Sequence, residues 1–355
     1  MKFKFKSHVV VVLLLLLALG SSVVFAKEKV LIDADMVQLF DDGAAMIMLA
    51  NAPNVELLGV CTVAGNTWVQ EGTAYALRQL EIIGRTDIPV AIGAQYPLRA
   101  GRGETLALER ELFGIGPSSY IGSWSRPEPE SYLQLQSPPY GGYPVTQPVE
   151  QSAVDFIIDT VRANPGEVTI LAIGPCTNIA LAIRKDPGIV PLVKRIVYMG
   201  GAIDVPGNTT PAAEFNWWYD PEAAKMTVRA PWAEQLVVGL DVCEKTHFTI
   251  DEYHRLIASG TEVAKMFEAL YGPRFEADPK RTSYVWDTIA AAVIIDPTLI
   301  TEVETRWIDV NDEFGLDYGR SLGYKIQGPA GTQKADILFT IDEARFWDLM
   351  VDLLK

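Results

Sequence analysis

Short apolar runs of strand type alternate with helical stretches through the first hundred residues, and this alternation limits the available folds more than any other feature. Residues 29–33 read as a buried strand. Residues 42–51 carry Ala44, Ala45, Ile47, Met48 and Leu49, which suits a helix packed closely on a sheet. Residues 55–63 form a second strand, 71–83 a helix closed by Gly84, and 88–92 a third strand. Parallel strands need crossover connections of this length. The rhythm therefore predicts an α/β fold: an open, mostly parallel, mixed sheet with helices on both faces, Rossmann-like in outline. No Gly-x-Gly-x-x-Gly follows the first strand, so dinucleotide binding loses its main support.

The rhythm is interrupted and then resumes. Residues 95–148 are rich in Gly, Pro, Ser and Tyr, with one helix expected around 105–113. A stretch this long and irregular inside a compact domain is expected to be a lid, a binding loop or disorder. Its aromatics, Tyr120, Trp124, Tyr132, Tyr140 and Tyr143, could stack on a flat ligand or pack locally. A helix is then expected over 149–163, a strand over 168–173, a helix over 179–185 and a strand over 195–199. A second loop covers 202–220, and Pro221 suits the first turn of a helix. A strand over 235–240 follows. Thr249 and Glu252 make a capping box. Trp286-Asp287 opens an apolar helix over 288–295, stopped by Asp296-Pro297. A late strand is expected over 306–310 and a closing helix over 342–354. Neither an internal repeat nor a domain linker is visible, so residues 27–355 read as a single domain.

Residues 1–26 have the layout of a cleavable signal: Lys2, Lys4 and Lys6, an apolar core over 9–19, and small residues before a cut after Ala26. Secreted or periplasmic localisation follows as an expectation, with no stable membrane association after cleavage. Losing those three lysines takes the formal net charge from −15 to −18. That charge disfavours nucleic acid as a partner. Cys61, Cys176 and Cys243 are odd in number and lie in apolar contexts, so they read as buried thiols. Outside the leader the only histidines are His247 and His254, which supplies multi-histidine metal chemistry or a Ser-His-Asp triad poorly.

The chemistry collects behind the first strand. Asp33, Asp35, Asp41 and Asp42 lie within ten positions. Like charges this close repel, and a bound cation relieves the repulsion; a solvated acidic turn is the alternative. In open α/β sheets ligands bind beyond the carboxyl ends of the strands. That rule brings Asn66, Gly174 and the loop holding Asn208, Glu214 and Asn216 to the same rim. Carboxylates, amides and free carbonyls are hard ligands and sugar-hydroxyl partners, which favours Ca²⁺ or Mg²⁺ over zinc or copper.

Taken together, Ala64-Gly65-Asn66, Gly174-Pro175-Cys176-Thr177-Asn178, Tyr198-Met199-Gly200-Gly201-Ala202, Gly207-Asn208, Ala213-Glu214-Phe215-Asn216 and Asp220-Pro221-Glu222-Ala223-Ala224 keep a recognisable order. Trp286-Asp287 and Ile295-Asp296-Pro297 complete the set. The chain resembles the inosine-uridine-preferring nucleoside hydrolase family over nearly all of residues 27–355. The resemblance implies that family's architecture and Ca²⁺-dependent hydrolysis of ribonucleosides to ribose and free base, by a homodimer or homotetramer. It implies Asp35, Asp42 and Asp287 as carboxylate ligands of Ca²⁺, with the backbone carbonyl of Ile173. It implies Asp41, Asn66, Asn208, Glu214, Asn216 and Asp287 as the ribose partners, and Asp35 as general base for the attacking water.

Two departures stand out. Five residues separate Asp35 from Asp41, as in a longer family variant with Gly-Asn-Asp in the middle, but here the middle is Val37-Gln38-Leu39. Losing that glycine could alter the turn. Many members also place His before the late metal-binding Asp, where it can protonate the base. Trp286 stands there instead, as in the purine-preferring branch, with Trp217, Trp218 or Trp124 as candidates for the second side of an aromatic sandwich. The alternatives are a nucleoside- or ribose-binding protein without turnover, and a hydrolase of another N-riboside.

Overall fold

The computed structural model describes residues 26–355 except 114, 116–118, 135, 136 and 139. The signal reading of residues 1–26 falls almost wholly outside the described residues. No helix among them is long and apolar enough to cross a membrane.

The chain runs β1 (Glu28–Ala34), α1 (Asp42–Asn51), β2 (Val55–Thr62), α2 (Val69–Ile82), β3 (Val90–Ile92), α3 (Arg102–Phe113) and α4 (Ala153–Ala163). It continues with β4 (Val168–Ala172), α5 (Thr177–Lys185), β5 (Arg195–Met199), α6 (Phe215–Tyr219), α7 (Pro221–Val228) and β6 (Gln235–Val238). Then come α8 (Leu240–Cys243), β7 (His247–Phe248), α9 (Ile250–Ile257), α10 (Glu262–Ala277), β8 (Ser283–Tyr284) and α11 (Trp286–Ile295). The chain ends with β9 (Ile300–Val310), β10 (Ser321–Tyr324), β11 (Gln333–Ile341) and α12 (Glu343–Leu354).

Nine strands make one sheet in the order β10-β9-β11-β6-β5-β4-β1-β2-β3. All neighbours are parallel except β9, which runs antiparallel to both β10 and β11. The expected mixed, mostly parallel sheet is thus the one formed. The short β7–β8 pair lies apart from it.

The order explains where a site can form. From β1 the chain moves to β2 and β3 on one side, and later places β4, β5 and β6 on the other. The end of β1 is the point where the winding reverses, and the loops after β1 and β4 part there to leave a crevice. β1 is buried on both faces, as a central parallel strand must be. α1 packs between the sheet and helices α11 and α12, so its Ala44-to-Leu49 run is buried all round. At about 1.5–3 kcal/mol for each large apolar side chain, this burial fixes the helix that follows the acidic loop.

Several elements escape the sequence reading. β9 starts six residues before the strand expected at 306–310. β10, β11, α6 and α10 are not signalled. α10 carries Gly272 and Pro273 inside it, which reads locally as a break; burial of Phe267, Leu270, Tyr271 and Phe275 outweighs that penalty.

Candidate active site

The acids arrive from two directions. Asp35, Asp41 and Asp42 follow β1, and Asp287 begins α11. Asp42 lies in the first turn of α1 and Asp287 in the first turn of α11, so two helix N-termini face the cluster. Val285, at the start of α11, gives no side-chain cap. The Asp287 amide donates instead to Asp41 Oδ2 at 2.8 Å. One carboxylate of the first loop therefore fixes the other half of the cluster.

Carboxylate oxygens of Asp41, Asp42 and Asp287 lie within 4.8 Å of one another, and all three side chains are buried. Asp35 stands beside Asp42; its Oδ2 accepts from the Asn66 amide at 2.6 Å. Burial, offset in part by that amide, pushes Asp35 up to about 7. Burial pushes Asp41 to about 6. Burial, then the neighbouring carboxylates, drive Asp42 and Asp287 well above the usual range. Oδ1 of Asp35, Oδ1 of Asp42 and Oδ1 of Asn216 are buried without a hydrogen-bond partner among the described residues. Orphaned oxygens and mutually repelling carboxylates fit a divalent cation, and an oxygen-only donor set suits a hard one.

Close approach of backbone makes the cluster possible. A Cβ on Gly174 would lie 2.7 Å from Asp35 N and 2.9 Å from its Oδ1; one on Gly65 would overlap the same carboxylate. Only glycine admits the two neighbouring loops so near to Asp35. Asp33 lies one step back, where its Oδ1 accepts from Asn178 Nδ2 at 2.7 Å. Asn178 also donates to Thr62 O and accepts from the Ala94 amide, tying β1 to its neighbours.

The Val37-Gln38-Leu39 turn is held through its own backbone. Gln79 Nε2 donates to the Val37 and Gln38 carbonyls at 2.9 and 2.8 Å, and the Tyr140 hydroxyl donates to Gln38 O. Leu39 is buried, and its carbonyl accepts from the Ala44 amide. The turn thus forms without the glycine of the longer variant, and Asp41 and Asp42 remain in the cluster.

A cavity of about 400 Å³ opens above the acids. Asp41, Asn66, Ile173, Asn208, Glu214, Asn216, Trp286 and Asp287 all line it. Asp35 and Asp42 sit beneath, fully buried. Asn216 Nδ2 donates to the carbonyls of Ile173 and Met199, leaving its Oδ1 unpartnered. Glu214 caps α6: its carboxylate accepts from the amides of Asn216 at 2.7 Å, Gly201 at 2.9 Å and Trp217 at 3.1 Å. Burial pushes it up to about 7 against those bonds. Asn208 accepts from the Phe215 amide at 2.9 Å. Asp241, to which the sequence assigns no role, accepts from the Ile203 and Asp204 amides and so anchors the start of this loop.

The aromatic sandwich is corrected. Trp217 and Trp218 are wholly buried, and Trp124 stacks on Tyr219 with ring centroids 4.1 Å apart. None of the three lines the cavity. The ring neighbours of Trp286 are elsewhere: Tyr284 is 5.7 Å from it, edge-on, and Tyr271 and Phe40 line the same cavity. The long loop does reach the site. The Tyr120 hydroxyl donates to Asn66 Oδ1 at 2.8 Å, and the Ser123 amide donates to Gly65 O at 2.8 Å. Gly122, at φ +55°, passes too close to Gly65 and Phe215 to carry a side chain. Of the loop aromatics singled out in the sequence, Tyr120 lines the cavity; Tyr271, Arg274, Arg281 and Tyr284 are cavity residues that no sequence motif marked. Neither His247 nor His254 lines the cavity, and all three cysteines are buried and free.

Comparison with known proteins identifies a family. A family model described as inosine-uridine preferring nucleoside hydrolase matches residues 30–348. The chain is 34% identical over 325 residues to uridine nucleosidase 1 of Arabidopsis thaliana, across 89% of each chain. It is 30% identical over 346 residues to probable uridine nucleosidase 1 of Oryza sativa subsp. japonica, across 95% of this chain and 99% of that one. A solved purine-preferring ribonucleoside hydrolase from Gardnerella vaginalis shares the fold with a TM-score of 0.73 at 26% identity, across 92% of this chain and 98% of that one. These comparisons overturn the expected secreted or periplasmic location: the plant uridine nucleosidases bring no evidence of a secretion signal, and the chain is assigned neither place. Matched over nine-tenths of its length, the chain belongs to the inosine-uridine preferring nucleoside hydrolase family.

Proposed function

We propose that this single-domain chain hydrolyses the N-glycosidic bond of ribonucleosides with Ca²⁺ held among Asp35, Asp42, Asp287 and the Ile173 carbonyl. The observation that carries the reading is the buried acid cluster on the cavity floor, with the Asp35 and Asp42 oxygens left unpartnered. When bound, the cation lowers the pKa of a water molecule. Asp35, held by the Asn66 amide, takes the proton from the attacking water. Asp41, Asn66, Asn208, Glu214 and Asn216 hold the ribose hydroxyls and orient C1′ toward that water. Negative charge on the floor favours the positive charge that develops on the ribose ring. A dimer or tetramer remains part of the proposal.

Base preference is its finer part. Purine preference draws support from Trp286, whose side chain lines the cavity. The relatives divide on the point: two are named for uridine and one for purines. With only one wall of the sandwich in place, we favour acceptance of both base classes. The test is release of reducing sugar from inosine, adenosine, uridine and cytidine, with and without chelator. Tight nucleoside binding without sugar release would instead establish a binding protein. Release from a base-modified riboside alone would establish a different substrate.

A further inference from the structure

The bond to the base breaks heterolytically, and its electron pair goes to the base nitrogen. Something must accommodate that pair. No histidine lines the cavity, and Trp286 has no acidic proton to give. Burial holds the Tyr120 and Tyr271 hydroxyls above the ordinary phenol range, which makes both poorer proton donors.

Two arginines, Arg274 and Arg281, also line the cavity. Among the described residues neither has a carboxylate within ion-pair distance, although most arginines of this acidic chain do. Arg126 shows the contrast. It borders the adjoining cavity of about 350 Å³ together with Arg274, but Glu71 already occupies it.

Arg274 is also held in place. Its guanidinium carbon lies 4.8 Å from the centroid of the Tyr271 ring. Tyr271 in turn meets Phe40 edge-on, with centroids 5.7 Å apart. Phe40 directly precedes Asp41. A chain of contacts thus runs from the acid cluster to an unpaired cation on the same cavity.

We propose that Arg274 faces the departing nucleobase and takes up the negative charge that builds on it as the C1′–N bond breaks. This rests on the nucleoside-hydrolysis reading above. An arginine cannot act as a general acid at neutral pH, so the base leaves as an anion paired with the guanidinium. The water oxygen bonds to C1′, its proton passes to Asp35, and the base anion collects a proton from solvent on release. Positive charge at this place suits bases with exocyclic oxygens, such as uracil and hypoxanthine, which spread the charge onto those atoms.

The test compares leaving groups of different quality. Uridine, inosine and 4-nitrophenyl β-D-ribofuranoside are assayed with the wild type, Arg274→Ala and Arg274→Lys. Nitrophenolate needs no help to depart. The proposal expects Arg274→Ala to lose on the order of 10²-fold in kcat on uridine and inosine, and less than about 3-fold on the nitrophenyl riboside. Arg274→Lys should recover part of the nucleoside rate, because it restores the charge without the planar fork. An equal loss on all three substrates would make Arg274 a structural residue and overturn the inference, as would an unchanged nucleoside rate. A wild type that cleaves none of the three overturns the hydrolase reading itself.

Discussion

The two walls of the cavity are built on different principles. The floor is made of strand ends, helix starts and glycine-permitted close approaches, and Asp35, Asp41, Glu214 and Asn216 each bond there to backbone. The rim, formed by Tyr120, Tyr271, Arg274 and Trp286, is made of long side chains on a loop and two helices: Arg274 lies over Tyr271, and the rings of Tyr120, Tyr271 and Trp286 meet those of Phe215, Phe40 and Tyr284. Backbone-fixed groups keep their positions with little freedom. Side chains on separate elements can be exchanged without disturbing the fold. The difference assigns the attack at C1′ to the floor and the handling of the departing base to the rim.

Three substitutions press on that division. Asp35→Asn should remove the proton acceptor and lower kcat by about 10²–10⁴-fold for every nucleoside alike. A base-dependent loss would break the division. Gly174→Ala should cost about 10²-fold, because the new Cβ meets the Asp35 amide and carboxylate and displaces them. Circular dichroism should show the fold retained, and an unaltered rate would mean that the site tolerates movement of Asp35. On the rim, Trp286→Ala should cost about 10-fold, mostly in KM, and more for purines than for pyrimidines. Equal losses across bases would remove Trp286 from base selection.

The smallest effect concerns stability. Asp33 and Asp35 are raised to about 7 and Asp41 to about 6, from an unfolded value near 3.8. In chelator the folded chain therefore holds more protons than the unfolded chain between about pH 4 and pH 7. The stability these groups confer is complete below that window and is lost as pH rises through it. Melting temperature should therefore fall from pH 5 to pH 8 in chelator, and a rise over that range would contradict the burial of these carboxyls. Added Ca²⁺ should raise it most at pH 8, where the carboxylates are charged. A pH-independent shift with Ca²⁺ would place the ion away from these acids.

Much of the floor was legible in the sequence because it depends on local signals. A strand followed by acids, glycines after strands two and four, and an Asp at a helix start each leave a mark within a few residues. The β9–β11 region was less legible. Only residues 306–310 of a longer strand were signalled, because much of β9 is exposed and its stability comes from pairing with two strands found later in the chain. Glu214 illustrates a different limit. The sequence offers it as a ribose partner, yet its carboxylate already accepts three backbone amides and caps α6, a five-residue helix with no periodic signature. The Val37-Gln38-Leu39 turn departs from the family pattern, but its support comes from Gln79 and Tyr140, 40 to 102 positions away.

By itself the sequence determined the sheet's parallel core, the family, and the acids that meet at the end of β1, because each is written in short-range pattern and residue chemistry. Only the tertiary structure decided the rest of the site. It placed Asp41 under the start of α11, buried the tryptophans expected to stack on a base, and brought Tyr271 and Arg274 of α10 to the rim. The Asp41–Asp287 and Phe40–Tyr271 contacts join residues more than two hundred positions apart, and no local pattern specifies which distant side chain fills a given gap.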